Sequence, residues 1–452
     1  MGLGLLGRGV GDIVFLAQYA GQLIVTDLKT EKELLPSLKK LRKFKNITYH
    51  LGGHRFEDFN NVDLVIKAAG VPLDSPYIAE ARKNNIPVEM STALFARLTP
   101  ATLVGITGTR GKSTVTHLVY EILKSHLGLN HSFRRMVGRN TLRSKVFLGG
   151  NIKGVATLPF LKKIKSGDLV VLELDSWQLQ GFGDSHIGPH ISVFTTFMED
   201  HLNYYKGDME TYLSDKANIF LYQKKKDFLV LGKDVSSLIR KTYGKRIQSK
   251  IVSPAPIPSA WKVHLLGAHN RENISLAVAV AHILKIPKAI TKKAVENFKG
   301  VQGRMELVKI HKGIKIYNDT TATTPHATLA ALKALCSPST QKSRSGQNQN
   351  VVLILGGADK KIDMANLLSE IPLHVKTLIV LPGSGTDRIS AVLKKLPVPI
   401  EWTKNLKQAV KKALYTARKG DIILLSPAFA SFGLFKNEFD RGEQFDKLVK
   451  KL

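Results

Sequence analysis

The run Leu103-Val104-Gly105-Ile106-Thr107-Gly108-Thr109-Arg110-Gly111-Lys112-Ser113-Thr114 limits the fold of this chain more than any other stretch. Leu103 to Ile106 reads as a buried strand, a glycine-punctuated turn follows, and Val115, Leu118, Val119 and Ile122 then recur at helical spacing. A strand, a tight turn and a helix N-terminus form a cradle for phosphate, because backbone N–H groups and the helix dipole converge there. Lys112 adds a point charge for outer phosphates, and Ser113 or Thr114 offers a hydroxyl to Mg²⁺. The general phosphate-loop pattern wants glycine where Ile106 stands, so the motif is the shorter Gly-Thr-x-Gly-Lys-Ser-Thr. An ordinary glycine-rich turn would not need the lysine and hydroxyls that arrive with it. The stretch predicts a nucleoside triphosphate site in an α/β fold.

Composition narrows the class. The 452 residues, 43% hydrophobic and 23% charged, suit several globular domains with sizeable cores. The single Cys336 excludes a disulfide framework and a cysteine zinc cluster. Neither a bilayer-spanning apolar run nor a secretory leader is evident, and a cytoplasmic location is expected. The net charge of +31 raises the question of polyanions. Its lysines are spread out, with short clusters only at Lys39-Lys40, Lys224-Lys225-Lys226 and Lys450-Lys451. A solvated basic surface, or steering of multiply anionic substrates, accounts for such a distribution.

Three segments follow from the patterning. Residues 1–97 begin with Gly2-Leu3-Gly4-Leu5-Leu6-Gly7, a G-x-G-x-x-G, and Leu23 to Asp27 is a strand ending in an acid, as in a Rossmann unit. The strand that should precede the glycines is missing. Val62 to Gly70 is a further strand and turn, and Val71 to Ser75 a loop at the carboxyl end of the sheet.

Residues 98–299 contain the phosphate loop, the polar turn Gly149 to Gly154, and the buried-strand run Leu169 to Leu174, which carries Glu173. An acid in such a run is costly unless paired or bound to metal. Ile191 to Phe197 leads into Met198-Glu199-Asp200-His201, a set fit for Mg²⁺ ligands and their supports. Alone, His201 would read as a surface or capping histidine. Lys216, in the helical segment Thr211 to Phe220, reads by composition as an exposed lysine. Asn270 and Asn273 precede an apolar helix, Ile274 to Leu284, either as caps or as amides that grip a base or sugar.

Residues 300–452 again alternate strands and helices. The turns after Ile314 to Asp319, Val351 to Gly357 and Ile422 to Pro427 put polar groups at strand carboxyl ends, where ligands bind in parallel sheets. Gln341 to Asn350 is polar and of low complexity, which predicts a flexible excursion.

Together these stretches resemble the Mur ligases, ATP-dependent amide-bond-forming enzymes of peptidoglycan precursor synthesis. The resemblance covers nearly the whole chain. It rests on Gly108 to Thr114, Gly149-Gly150-Asn151-Ile152, Glu173 to Leu179, Glu199-Asp200-His201-Leu202, Gly267-Ala268-His269-Asn270-x-x-Asn273 and Gly303-Arg304-Met305-Glu306. The C-terminal pieces, Asn318 to Thr323, Gly356 to Lys360 and Leu425 to Asn437, are similar to the branch that adds D-glutamate to UDP-N-acetylmuramoyl-L-alanine.

The resemblance implies three α/β domains. A Rossmann-like domain (1–97) would bind the UDP-sugar, a central domain with a mainly parallel sheet (98–299) would bind ATP, and a Rossmann-like domain (300–452) would bind the amino acid. It implies that Gly108, Thr109, Gly111, Lys112, Ser113 and Thr114 cradle ATP and that Ser113 and Glu173 hold one Mg²⁺. His201 would stand at a second Mg²⁺ with Lys216, which the family carries as a carbamate. Asn270, Asn273, Arg304 and Asp319 would hold adenosine and phosphates. Thr323, Lys360, Ser431 and Phe432 would surround D-glutamate, and Leu5, Leu6, Asp27, Gly70 and Asn151 would face the UDP-sugar. A monomer without a specific nucleic-acid partner is implied. Thr321 stands where many relatives have lysine, Gly303 where histidine is frequent, and Asp175 and Trp177 replace the commoner serine and phenylalanine. Rival readings are another Mur or folylpolyglutamate-synthetase-like ligase, a basic nucleotide-dependent nucleic-acid-binding protein, and an NAD oxidoreductase.

Overall fold

A computed structural model describes residues 1–5, 7–136, 144–336 and 350–452. The low-complexity run 341–349 and Leu6 therefore lie outside the described residues. The chain divides into two compact units, Met1–Trp261 with Glu272–Val295, and Lys262–Arg271 with Glu296–Leu452.

In the first unit, β1 (Leu23–Asp27) pairs in parallel with β2 (Ile47–Leu51), and β3 (Val65–Lys67) with β4 (Val88–Met90). Residues 1 and 2 lie between these pairs. The Met1 nitrogen donates to the Ile66 carbonyl at 2.9 Å, Ala68 N–H to the Met1 carbonyl at 2.9 Å, and Gly2 N–H to the Thr26 carbonyl at 2.8 Å. The place that seemed vacant for want of a first strand is thus filled by two residues bonded on both sides. Segments of this length carry no hydrophobic period to read.

The rest of the first unit is built on β5 (Thr102–Thr107), β6 (Val146–Gly150), β7 (Leu169–Glu173), β8 (Ile191–Phe194), β9 (Phe228–Leu231) and β10 (Lys250–Val252). Their order is β10-β9-β8-β5-β7-β6, and every pairing is parallel. Strands covered on both faces read as continuous apolar runs, as β5, β7 and β8 do. Because all strands point one way, Thr107, Gly150, Glu173 and Phe194 end at the same edge. The chain goes out from β5 to β6, returns through β7, and crosses to β8 on the far side of β5. That reversal opens a crevice at the carboxyl end of β5.

The second unit carries β11 (Glu306–His311), β12 (Ile314–Asn318), β13 (Val351–Leu355), β14 (Val375–Val380), β15 (Ile400–Trp402) and β16 (Ile422–Leu425), ordered β11-β12-β16-β13-β14-β15. Only β11 is antiparallel to its neighbour among these described strands. Along β13, Val351, Leu353 and Leu355 enter one apolar cluster, and Val352 and Ile354 the cluster on the opposite face. Both faces are therefore buried, and function falls to the strand ends. Among the described residues no helix is long and apolar enough to cross a membrane.

Candidate nucleotide and ligation site

The loop after β5 is fixed by glycines at which any side chain would clash. A Cβ on Gly108, whose φ is +138°, would lie 2.0 Å from Thr195 Oγ1, and one on Gly111, at φ +84°, would lie 2.3 Å from Asn273 Oδ1. The end of β8 secures the same loop: Thr109 N–H donates to the Thr196 carbonyl at 2.8 Å and Arg110 N–H to Thr196 Oγ1 at 2.9 Å. Sequence reading did not single out Thr195 and Thr196, because the contact spans the sheet rather than the chain.

Two lysines meet at one carbonyl. Lys112 Nζ donates to Gly108 O at 2.8 Å and Thr109 O at 3.0 Å, and Lys216 Nζ donates to Gly108 O at 3.1 Å. Lys216 is 1% exposed, which corrects the reading of it as a surface lysine. The helix Met209–Leu221 buries Tyr212, Leu213, Ala217 and Phe220, so Lys216 falls within the apolar stripe. That spacing was the available signal. Burial, and then the neighbouring Lys112 charge, push the Lys216 pKa well below the ordinary lysine value.

Around these lysines stand the other expected groups. Ser113 and Glu173 are buried, and Glu173 ends β7 opposite Ile106 of β5. Lys216 Nζ lies 4.8 Å from the centroid of the Tyr212 ring, and the His201 ring is 6.1 Å from that ring, so both flank Tyr212. His201 has a left-handed φ of +54° and packs on Trp177 at 4.9 Å. Asp200 accepts from Arg110 Nη1 at 3.1 Å and from His201 N–H at 2.9 Å, linking the phosphate loop to His201. Asp175 is a helix cap: it accepts from Gln178 N–H at 2.7 Å, and Gln178 Oε1 returns a bond from Asp175 N–H. Asp215, also missed in the sequence, accepts from Tyr205 Oη at 2.9 Å and Gln180 Nε2 at 2.8 Å.

The two asparagines separate. The helix begins at Ala268, so both lie inside its first turns rather than before it. Asn273 reaches the phosphate loop at Gly111, whereas Asn270 Nδ2 donates to Leu266 O at 2.8 Å.

The N-terminal residues build a turn. Asp27 accepts from Gly4 N–H at 2.9 Å and Lys29 N–H at 2.9 Å, so its carboxylate holds the glycine turn to the end of β1. Leu5 and Gly70 are exposed. Asn151 Oδ1 accepts from Arg8 Nη1 at 2.8 Å, a partner that sequence reading missed.

In the second unit three turns meet at the carboxyl ends of β12, β13 and β16. Ala428 N–H donates to Ala322 O at 2.9 Å, and Ala358 and Ala430 exchange backbone bonds at 2.9 and 3.1 Å. Lys360 Nζ donates to Thr323 Oγ1 at 3.1 Å. Ser431 is buried and Phe432 exposed. Asp319 is buried beneath them, accepting from Ser426 Oγ at 2.8 Å and Met305 N–H at 3.1 Å. Burial pushes its pKa up to about 7, against the pull of these bonds and of the Arg304 charge.

Among the described residues no group of three or more His, Cys, Asp or Glu side chains is placed to hold a metal ion. Magnesium bound through phosphates needs only one or two protein oxygens, and the buried Ser113 and Glu173 supply a hydroxyl and a carboxylate of that kind.

Comparison with known proteins agrees along the whole chain. Residues 1–89 match the Mur ligase MurD-like N-terminal domain, 106–254 the Mur ligase middle domain, and 303–429 the Mur ligase glutamate ligase domain. The chain is 34% identical to a protein of Borreliella burgdorferi and 32% to one of Roseiflexus sp., each named UDP-N-acetylmuramoylalanine--D-glutamate ligase. Both matches cover 100% of this chain and 97% of the relative. Among solved structures it is similar to UDP-N-acetylmuramate-alanine ligase MurC of Thermotoga maritima, with a TM-score of 0.61, 19% identity and coverage of 100% and 98% of the two chains. MurF of Thermotoga maritima in complex with ADP gives a TM-score of 0.58 and 17% identity, covering 96% and 97%. The chain belongs to the Mur ligase family, with the relatives named UDP-N-acetylmuramoylalanine--D-glutamate ligase.

Proposed function

We propose that this protein uses ATP to join D-glutamate to UDP-N-acetylmuramoyl-L-alanine, a step in peptidoglycan precursor synthesis. The observation that carries this reading is the meeting of Lys112 and Lys216 on the Gly108 carbonyl, in the glycine loop that leads to Ser113. Glu173 stands on the neighbouring strand, and His201 is tied to the loop through Asp200 and Arg110.

A carboxylate does not condense with an ammonium in water, since hydroxide leaves poorly. ATP removes that obstacle: the acceptor carboxylate takes the γ-phosphoryl group, giving an acyl phosphate and ADP. The free amine of D-glutamate then attacks the acyl carbon, and phosphate departs as the nitrogen gives up its proton. Lys112 and the loop N–H groups hold the triphosphate in line and offset its charge. Ser113 and Glu173 would hold Mg²⁺, which when bound neutralises charge between the phosphates and the acceptor. Burial lowers the Lys216 pKa, which favours the free amine that takes up CO₂ as a carbamate, an anion where an ammonium would repel a metal. With His201 it would serve a second Mg²⁺.

Asn270, Asn273, Arg304 and Asp319 serve the nucleotide in this reading. Thr323, Lys360, Ser431 and Phe432 serve D-glutamate, and Leu5, Leu6, Asp27, Gly70 and Asn151 serve the UDP-sugar. A monomer in the cytoplasm, where ATP and sugar nucleotides are available, completes it, with no specific nucleic-acid partner. Phosphate release from ATP tests the proposal. It should require both UDP-N-acetylmuramoyl-L-alanine and D-glutamate. Release with neither present, or with a different amino acid only, would overturn it.

A further inference from the structure

The helix Glu438–Lys450 carries Arg441, one of the largest fully buried side chains among the described residues, at 0% exposure. Its guanidinium donates through Nε to Thr320 Oγ1 at 3.0 Å, through Nη2 to Thr320 O at 2.7 Å and through Nη1 to Phe429 O at 3.3 Å. None of these acceptors is a carboxylate. Burial pulls the Arg441 pKa down to about 10, outweighing the Glu438 charge that favours the cation. A cation hydrogen-bonded only to hydroxyl and carbonyl oxygens is therefore costly, and its retention calls for a reason.

The reason lies in what the fork joins. Thr320 begins the turn that continues to Thr323, and Phe429 begins the turn that continues to Ser431 and Phe432. The helix lies close against the first turn: a Cβ on Gly442 would be 2.6 Å from Thr320 Cγ2, and Thr320 Oγ1 donates in return to Glu438 O at 2.9 Å. Asn318 Nδ2 adds bonds to Gly442 O at 3.2 Å and Asp446 Oδ1 at 2.8 Å. One rigid fork therefore grips both turns from beneath, and an ammonium, with a single nitrogen, does not reproduce that span.

We propose that Arg441 is a positioning residue for the acidic amino acid: it fixes the Thr320–Thr323 turn against the Phe429–Phe432 turn, so that the clamp on D-glutamate exists before the ligand arrives. This rests on the ligase reading and extends it to a residue outside the recognised motifs.

The test compares Arg441→Gln and Arg441→Lys with the unaltered protein at saturating ATP, following phosphate release and thermal unfolding. In Arg441→Gln the KM for D-glutamate should rise at least about tenfold while kcat falls less than about threefold. The KM for UDP-N-acetylmuramoyl-L-alanine, whose expected contacts lie in the other unit, should stay within about twofold. Arg441→Lys should recover part of the loss. Should Arg441→Gln fail to fold, Thr320→Val removes the hydroxyl acceptor and should show the same split, about threefold in KM for D-glutamate. A folded variant with unchanged KM for D-glutamate, or one in which both substrate KM values rise alike, overturns the inference. Unaltered protein that releases no phosphate with D-glutamate overturns the ligase reading instead, before any variant is compared.

Discussion

Replacing Asp319 by Asn should make the second unit more stable above neutral pH while impairing turnover. Asp319 is 6% exposed, and burial lifts its pKa from 3.8 to about 7. The folded state thus holds a proton that the unfolded chain releases, so this group favours folding most at low pH and loses that advantage as pH rises through 7. At 1.36 kcal/mol per unit, the penalty for burying the acid is about 1.6 kcal/mol at pH 5 and levels off near about 4 kcal/mol above pH 8. Asparagine carries no such penalty. It can still accept from Met305 N–H, and Ser426 Oγ, now 3.0 Å from Thr328 Oγ1, can turn its hydrogen there and accept from the new amide. The stability gained by Asp319→Asn should therefore grow by about 2–3 kcal/mol between pH 5 and 8.5. Hydrogen exchange on peptides covering β12 and β16 reads this locally, without assuming that the two units unfold together. A difference between the two proteins that is the same at pH 5 and 8.5 would refute the reasoning. Phosphate release should fall at least about tenfold in the same variant, since an amide is a weaker acceptor than a carboxylate for the nucleotide's hydroxyl groups.

Three further outcomes are expected. Gly108→Ala, which sets a methyl 2.0 Å from Thr195 Oγ1, should cost about 2–3 kcal/mol in unfolding free energy and raise the KM for ATP, as urea titration and steady-state kinetics would show. Arg8→Ala leaves Asn151 without its 2.8 Å donor, so the KM for the UDP-sugar should rise about five- to tenfold with that for D-glutamate unchanged. Removing dissolved CO₂ should lower activity reversibly, bicarbonate should restore it, and Lys216→Arg should be inactive in either buffer; full activity in CO₂-free buffer would refute the carbamate.

What the sequence made legible was whatever a short window contains. The β5 strand, its glycine turn and the following helix are contiguous, and Glu173 stood out because an acid breaks an apolar run. Lys216 reaches Gly108 across 108 residues of chain, so its type alone pointed to solvent. The apolar spacing on either side held the correction. Residues 1 and 2 carry too little pattern to announce a strand, and only their bonds to the Thr26 and Ile66 carbonyls and from Ala68 N–H define their place. Arg441 was not singled out, because its neighbours Asp440 and Glu443 are charged, although it shares helical spacing with Phe445 and Val449. Gly442 inside the helix was a second local hint, since an interior helical glycine often marks a close approach.

The way the site's cations are held bears on their purpose. Arg110 pairs with Asp200, so its charge is largely cancelled, and the pair serves to tie the phosphate loop to the residue before His201. Lys112 and Lys216 in one unit and Arg441 in the other are anchored on main-chain oxygens of Gly108, Thr109, Thr320 and Phe429. A carbonyl dipole orients a cation without adding the opposing unit charge that a carboxylate would. Arg441 is fully buried, so its fork acts on the two turns it joins rather than at the surface. For Lys216 the same burial, and then the neighbouring Lys112 charge, pull the pKa well below the ordinary lysine value. One carbonyl, that of Gly108, thus brings together a half-buried lysine and a fully buried one. The +31 of the whole chain acts through solvent, screened within about 8–10 Å, and does not make that distinction.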